Sequence, residues 1–413
     1  RPPGLTTRPT HATGERNFHI MYHLLKAATN AERDAWSLGL GTTAKDFRYT
    51  NGESVAPGID DVKGWADAQR ILEAIGVKDE QRKELFGMLS AVLLLGNLTF
   101  RGTSAENKTA EKIRHADDPA PLKNAARLLQ IDEAGLAKNI ASRTMLVPSG
   151  GGTETVTVNL DESQCGDTRD ALAKAVYSAL FDHIVARLNA ALAGAGMGGP
   201  AGRRASLQQD DSYSIGLLDI FGFENFKMNS FEQLCINFTN ERLQAHFMDA
   251  LVKLQQEEYK REGIKCDHIA FPDNSAQIAL IDGKNVGVMA RLDEECSVPK
   301  GSNEGFVEKL HIAFKDHALY AQPKRGKGSI MMVGTGMVKT DLGRGFDKLQ
   351  FIVTHYAGQV MYTAHNWLDK NRGVLSADLH QVVANSDSEM LATFFPQISH
   401  DEMKKRATVG YTF

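Results

Sequence analysis

The stretch LLDIFGFENF, residues 217–226, decides how this sequence reads. An apolar run ends in a carboxylate, Asp219, and Phe221-Gly222-Phe223-Glu224 follows, an order that no packing rule requires. By composition, residues 213–220 are expected to form a buried strand. Asp219 would then stand at the carboxyl edge of a sheet, where open α/β folds bind ligands. A carboxylate there can hold magnesium through water, because magnesium gives up its hydration shell reluctantly. The amide of Gly222 can approach a terminal phosphate, since no Cβ blocks it, and can turn away when that phosphate leaves. Asp-x-x-Gly alone also fits an ordinary strand-to-loop turn. Glu224, if buried, requires a cationic partner.

Two nucleotide-handling classes that use such a motif lack their other parts here. A protein kinase requires an HRD catalytic loop, and a small GTPase-type protein requires NKxD; neither occurs in the sequence. Composition narrows the field further. The chain of 413 residues is long enough for two to three packed units. Its hydrophobic content of 42% and charged content of 24% are those of a globular protein. A net charge of −4 gives no global attraction to nucleic acid or anionic lipid, so any polyanion contact must be local. The four cysteines, Cys165, Cys235, Cys266 and Cys296, form no CxxC pair, which points to free thiols in a reducing compartment. The thirteen histidines show no HExxH spacing. The longest apolar run, 91–95, is far short of a membrane span, and residues 1–30 lack a signal-peptide core. The chain begins with Arg1 and is expected to be part of a longer polypeptide.

Periodicity places the elements around the motif. Helices are expected over 17–28, 60–75, 79–96, 120–130, 132–141 and 167–192, the last with Leu172, Val176, Leu180, Ile184 and Leu188 on one stripe. Residues 97–100 form a strand candidate and 101–118 a polar loop. The segment 144–158 reads as a hairpin with a long tip, because Pro148 and three glycines interrupt two β-prone arms. A flexible linker covers 193–205. Ser230 opens the longest helix, to about 258, and Ser230 with Gln233 has the capping-box spacing. Its stripe runs Phe231, Leu234, Phe238 and then Leu243, Phe247, Leu251, Leu254, so the apolar face shifts near 239–242. That shift fits a helix touching two neighbours or a bend. Short helices follow, then a Gly/Lys-rich insertion at 323–346 and strands at 350–355 and 359–362.

DIFGFE (219–224) resembles the second switch of the myosin motor domains, and NSFEQLCINFTNERLQAHF (229–247) resembles the start of their relay helix. GERNFHIMYHLL (14–25), LSAVLLLGNLTF (89–100), RDALAKAVYSALFDHIV (169–185), LDEECSVPKGSNEGFVEKL (292–310) and HYAGQVMYTAHNWLDKNRGVL (355–375) resemble the family in the same order along nearly the whole chain. The resemblance implies a helix-rich α/β fold, a partial P-loop NTPase-type motor with a central twisted sheet and two actin-facing subdomains. It implies ATP and magnesium, with Asp219 holding the magnesium's water shell. The Gly222 amide would bind the γ-phosphate. Glu224 would pair with a first-switch arginine and help position the attacking water, and Asn240 would brace the switch from the relay helix. The family's GxxxxGK[ST] loop and first switch do not occur in these 413 residues; GTGMVKT (334–340) has the wrong glycine spacing. This stretch alone is therefore expected to be inactive.

The same resemblance implies an actin-facing surface. The hairpin would be the upper actin-binding loop, with Glu154, sixteen residues before Asp170, supplying a built-in negative charge. The segment 287–310 would be the lower helix-loop-helix, with Val298, Pro299 and Phe306 exposed as apolar anchors. Lys324, Arg325 and Lys327, and Lys404, Lys405 and Arg406, are candidate basic contacts with acidic actin. The chain is expected to divide into an upper actin-facing part at 1–209, the switch strand and relay helix at 210–262, a lower actin-facing part at 263–395 and a basic joining loop at 396–413. The implied function is an actin-based motor ATPase of the cytoplasmic actin cytoskeleton, with light chains or calmodulin as further partners and with neither nucleic acid nor a transmembrane segment. The alternative is a non-motor actin tether derived from a myosin, without ATPase activity.

Overall fold

The computed structural model describes residues 16–50, 55–101, 114–115, 119–149, 152–195, 216–264, 273–298, 301–323, 330–333, 336–339, 347–372 and 375–397. Two units divide the chain, one of residues 1–211 with 373–407 and one of 212–372 with 408–413. Residues 375–395, grouped by sequence with the lower segment, fall in the first unit.

The first unit is helical because its apolar residues recur at helical spacing and its helices are capped locally. It runs α1 (His19–Ala27), α2 (Asn30–Ala35), α3 (Asp61–Ala74), α4 (Asp79–Gly96), β1 (Phe100–Arg101), β2 (Arg114–His115), α5 (Ala120–Leu129), α6 (Glu133–Ala141), β3 (Ser142–Ser149), β4 (Gly152–Asn159) and α7 (Glu162–Ala195). Asp60 caps α3 through the amides of Val62 and Lys63, and Asp132 caps α6 through that of Gly135. Every residue of α4 from Leu85 to Gly96 is buried, so this helix is the axis of the unit and neighbours surround it. Trp36, Trp65 and Phe86 pack around its N-terminal half, with Trp65 and Phe86 centroids 4.5 Å apart. Two polar pins close the other end. The buried Tyr49 hydroxyl donates to Asp170 at 2.6 Å, and Arg169 donates to the Leu98 carbonyl at 2.6 Å.

Three sequence expectations change here. Residues 97–100 are not a strand: Asn97 is the C-cap of α4, and only Phe100–Arg101 pairs, with Arg114–His115 inside the expected polar loop. The β3–β4 hairpin has a short tip, not a long one, since pairing persists to Ser149–Gly152. Pro148 lies opposite Thr153 within it, which a two-stranded ribbon tolerates because both strands are edges. The linker at 193–205 lies outside the described residues beyond 195.

The second unit holds α8 (Phe231–Met248), a π-helical segment (Asp249–Lys253), α9 (Leu254–Arg261), α10 (Ser275–Asp282), α11 (Val288–Ser297), α12 (Asn303–Ala313), β5 (Tyr320–Ala321), β6 (Ile330–Val333), β7 (Gly336–Lys339), β8 (Gln350–His355), β9 (Gly358–Thr363) and α13 (Trp367–Arg372). β5, β8 and β9 form an antiparallel sheet, with Gln350 opposite Thr363 and His355 opposite Gly358. Phe231, Phe306, Tyr320, Phe351, Tyr362 and Trp367 make its aromatic core. α14 (Ala377–Ala384) and α15 (Glu389–Phe394) then return to the first unit, where Leu379, Val383 and Leu391 join its core.

The expected strand at 213–220 is not a strand in its described part. Residues 216–220 have no regular structure and are exposed, Leu217 at 95% and Leu218 at 74%. Among the described residues no strand lies beside them, and an isolated strand leaves its backbone groups without a ladder. The described sheets contain two or three strands each, all antiparallel, and the central twisted sheet is not among them. The long helix from Phe231 is regular through 239–242; its irregularity is the π segment at Asp249–Lys253. In the second half of its apolar stripe Leu243 is half-buried, and Phe247, Leu251 and Leu254 are exposed. Among the described residues no helix is long and apolar enough to cross a membrane.

Candidate functional site

The loop 216–228 carries no secondary structure, yet side chains of α8 and backbone groups of β9 hold it. The Glu224 N–H donates to Asn237 Oδ1 at 2.8 Å, and Asn237 Nδ2 donates back to the Glu224 carbonyl at 2.8 Å. Asn240, one turn further, donates from Nδ2 to the Phe221 carbonyl at 3.1 Å. Asn237 and Asn240 are three residues apart and so share a helix face, and together they bracket Phe221 to Glu224. Downstream, Asn229 Oδ1 accepts from the Phe226 N–H at 2.7 Å, and its Nδ2 donates to the Met361 carbonyl at 3.0 Å. The Thr363 N–H donates to the Asn229 carbonyl at 2.8 Å, so the loop is tied to β9 where α8 begins. Gln233 caps that start, its Oε1 accepting the Ser230 N–H at 2.9 Å while its Nε2 donates to Glu224 Oε2 at 3.2 Å.

Behind the loop lies a buried polar chain. Asn237 Nδ2 donates to Tyr362 Oη at 2.9 Å, Tyr362 Oη is 2.8 Å from His355 Nε2, and His355 Nδ1 is 3.0 Å from Glu241 Oε1. Asn237, Glu241, His355 and Tyr362 are each at least 98% buried. Burial pushes the Tyr362 hydroxyl well above its ordinary pKa. Glu241 also accepts from the Tyr356 N–H at 2.9 Å and from Asn274 Nδ2 at 2.6 Å. Phe223 lies edge-on to His355 at 5.4 Å, so the loop's second aromatic is seated on this chain.

Asp219 and Gly222 are exposed, and Glu224 and Asn240 are half-buried. Gly222 is exposed, and a Cβ built on it would meet nothing within 4 Å, so the loop leaves open space around this residue. Asp219 offers a hard oxygen, and no cage of three His, Cys, Asp or Glu exists among the described residues. That donor set fits magnesium held through water, not an all-protein metal site. At two of the four cysteines thiol chemistry is disfavoured: burial pushes the thiol of Cys165 up to about 11 and that of Cys235 up to about 12.

Sequence reading singled out Asn240 but missed Asn237, His355, Tyr362 and Glu241. Their signal is polar residues inside apolar runs: Asn237 sits between Ile236 and Phe238, and Tyr362 follows Val360-Met361.

The partner-facing candidates divide. Glu154 lies on β4 opposite Val147, and its side chain is outside the described set, as are Pro299, Lys324, Arg325, Lys327, Lys404, Lys405 and Arg406. Val298 is 39% exposed. Phe306 is not exposed: it is fully buried, with its ring 5.8 Å from Trp367 and 6.3 Å from Phe351. It lies on the inner face of α12 with Val307 and Leu310, so an exposed role is corrected to a core one. The loop between α11 and α12 is stapled by Glu295, whose Oε1 accepts the Ser302 N–H at 2.9 Å and whose Oε2 pairs with Lys309 at 2.9 Å. Gly301 passes so close that an added Cβ would stand 2.1 Å from the Glu295 carbonyl oxygen. Gly301→Ala is therefore expected to cost about 1–3 kcal/mol, read as a lower urea midpoint at unchanged m-value.

Comparison with known proteins bears on this arrangement. The family model for the myosin head (motor domain) matches residues 9–411. Unconventional myosin heavy chain 6 of Caenorhabditis elegans is 36% identical over 406 residues, which is 98% of this chain and 17% of that protein. Myosin IA heavy chain of Dictyostelium discoideum is 35% identical over 390 residues, 93% of this chain and 35% of that protein. Myosin-14 of Arabidopsis thaliana is 35% identical over 396 residues, 95% of this chain and 23% of that protein. The chain thus spans about a third or less of the length of these relatives.

Proposed function

The chain belongs to the myosin motor-domain family, and from that premise we propose that it forms the phosphate-sensing and filament-facing part of an actin-based motor that hydrolyses ATP. The observation that carries the reading is the double bracket on the loop: Asn237 and Asn240 of α8 hold the backbone of Glu224 and Phe221. A loop that shifts with the γ-phosphate would pull on the helix through these bonds. Residues 213–220 would join a P-loop NTPase-type sheet beside strands lying outside the described residues, which would cover Leu217 and Leu218.

In this reading ATP is attacked in line by water, and catalysis is positioning and charge stabilisation. Magnesium would neutralise charge on the phosphates, with Asp219 holding its water shell. The Gly222 amide donates to the γ-phosphate, and the Glu224 carboxylate orients the attacking water. The β3–β4 hairpin with Glu154, the α11–α12 loop with Val298 and Pro299, and the basic groups Lys324, Arg325, Lys327, Lys404, Lys405 and Arg406 form the actin-facing surface. Such a surface would bring the protein to the actin cytoskeleton. The test is ATP turnover by the full-length polypeptide, with and without filaments. Actin is expected to raise turnover by about tenfold or more, and ATP is expected to release the protein from sedimenting filaments. Filament binding indifferent to ATP, with no turnover, would leave only a tether.

A further inference from the structure

The buried chain behind the loop has a direction that geometry alone decides. A backbone N–H can only donate, so the Asn237 atom 2.8 Å from the Glu224 nitrogen must be its oxygen. Asn237 Nδ2 is then the donor to both the Glu224 carbonyl and Tyr362 Oη. With an acceptor position of Tyr362 Oη taken, its one proton has a single acceptor in reach among the described residues, His355 Nε2 at 2.8 Å. His355 must then carry its proton on Nδ1, facing Glu241 Oε1 at 3.0 Å. Glu241 closes the chain as a carboxylate, satisfied by His355, Tyr356 N–H and Asn274. A proton on His355 Nε2 would aim two donors at Tyr362 Oη and leave the tyrosine proton buried without an acceptor.

We infer that Glu241, His355 and Tyr362 are positioning residues for Glu224: a one-way hydrogen-bond chain, Glu224 N–H to Asn237 to Tyr362 to His355 to Glu241, that fixes the peptide planes on both sides of Glu224. Each donor in such a chain polarises the next, so the carboxylate at its end strengthens the bond at the loop. Asn237 and Glu241 lie four apart on α8, while His355 and Tyr362 lie on the β8–β9 hairpin. Sliding the helix along the hairpin breaks the chain, which couples helix position to the aim of Glu224. The consequence for turnover rests on the proposed ATPase reading; the chain's direction and its hold on the loop do not.

Two measurements on the full-length polypeptide test this without ATP. Nitrogen NMR of His355 is expected to show Nδ1 protonated and Nε2 bare; an Nε2–H tautomer or an imidazolium overturns the chain, and no variant is needed to see it. Amide exchange at Glu224 is expected to rise about tenfold in Tyr362→Phe, which keeps the ring and removes only the hydroxyl. Unchanged exchange at Glu224 in a folded Tyr362→Phe protein overturns the positioning role. A third measurement adds function: kcat of Tyr362→Phe should fall about tenfold with the nucleotide KM within about twofold. A purely structural role would instead lower kcat only in proportion to the folded fraction. If the wild type turns over no ATP while the tautomer and exchange results hold, the ATPase reading fails and the chain stands.

Discussion

Glu224→Ala in the full-length polypeptide is expected to lower the ATP hydrolysis rate by about 10²–10⁴-fold, the range for removing a group that positions or relays a proton in the transition state. Nucleotide affinity should survive, because the substitution leaves the surroundings of the loop intact. Its backbone is held by Asn237 through the N–H and carbonyl of residue 224, and neither bond uses the carboxylate. Among the described residues the side chain makes one bond, from Gln233 Nε2 to Oε2 at 3.2 Å, and has no ion-pair partner. Gln233 keeps its bond to the Ser230 N–H in the variant, so the start of α8 should not fray. The measurement is single-turnover hydrolysis beside nucleotide binding. A rate within about twofold of wild type would remove Glu224 from the mechanism, whatever the fate of Asp219 and Gly222.

What was legible in the sequence was what depends on nearby residues. The helices α3, α4, α5 and α6 begin and end within a few residues of their expected bounds, because caps and periodicity are local. DIFGFE and Asn240 were legible as a motif, and the structure places Asn240 on the Phe221 carbonyl. What failed depends on partners distant in sequence. Residues 216–220 have the composition of a core strand, but a strand exists only beside another. The His355–Glu241 contact spans 114 positions, and no spacing rule reaches that far. The face change at 239–242 was real as a pattern, but the helix is regular there; its π segment begins at Asp249, seven residues beyond 242, and Phe247, Leu251 and Leu254 stay exposed. Such a segment widens one turn by a residue and so rotates all that follows, which sequence periodicity registers only as a shift of phase.

Phe306→Ala is expected to destabilise the second unit by about 3–5 kcal/mol, which separates core from contact surface in the α11–α12 segment. The ring is fully buried, with Trp367 and Phe351 centroids at 5.8 and 6.3 Å, the latter edge-on at 89°. Trp367 also meets Phe231, Phe351 and Tyr362, so the cluster is braced from α8, β8 and β9 and cannot collapse into the void. A cavity that cannot close puts the cost toward the upper end of that range, and the melting transition should fall on the order of 10 °C. Val298→Ala, at an exposed position two residues beyond Cys296, should change stability by less than about 0.5 kcal/mol. If the loop faces a filament, that second variant should weaken co-sedimentation with actin while its melting curve overlays the wild type. The opposite pattern, filament binding lost in Phe306→Ala with the melting transition unmoved, would mean that the phenylalanine points outward and that the aromatic core is held by Trp367 and Phe351 without it.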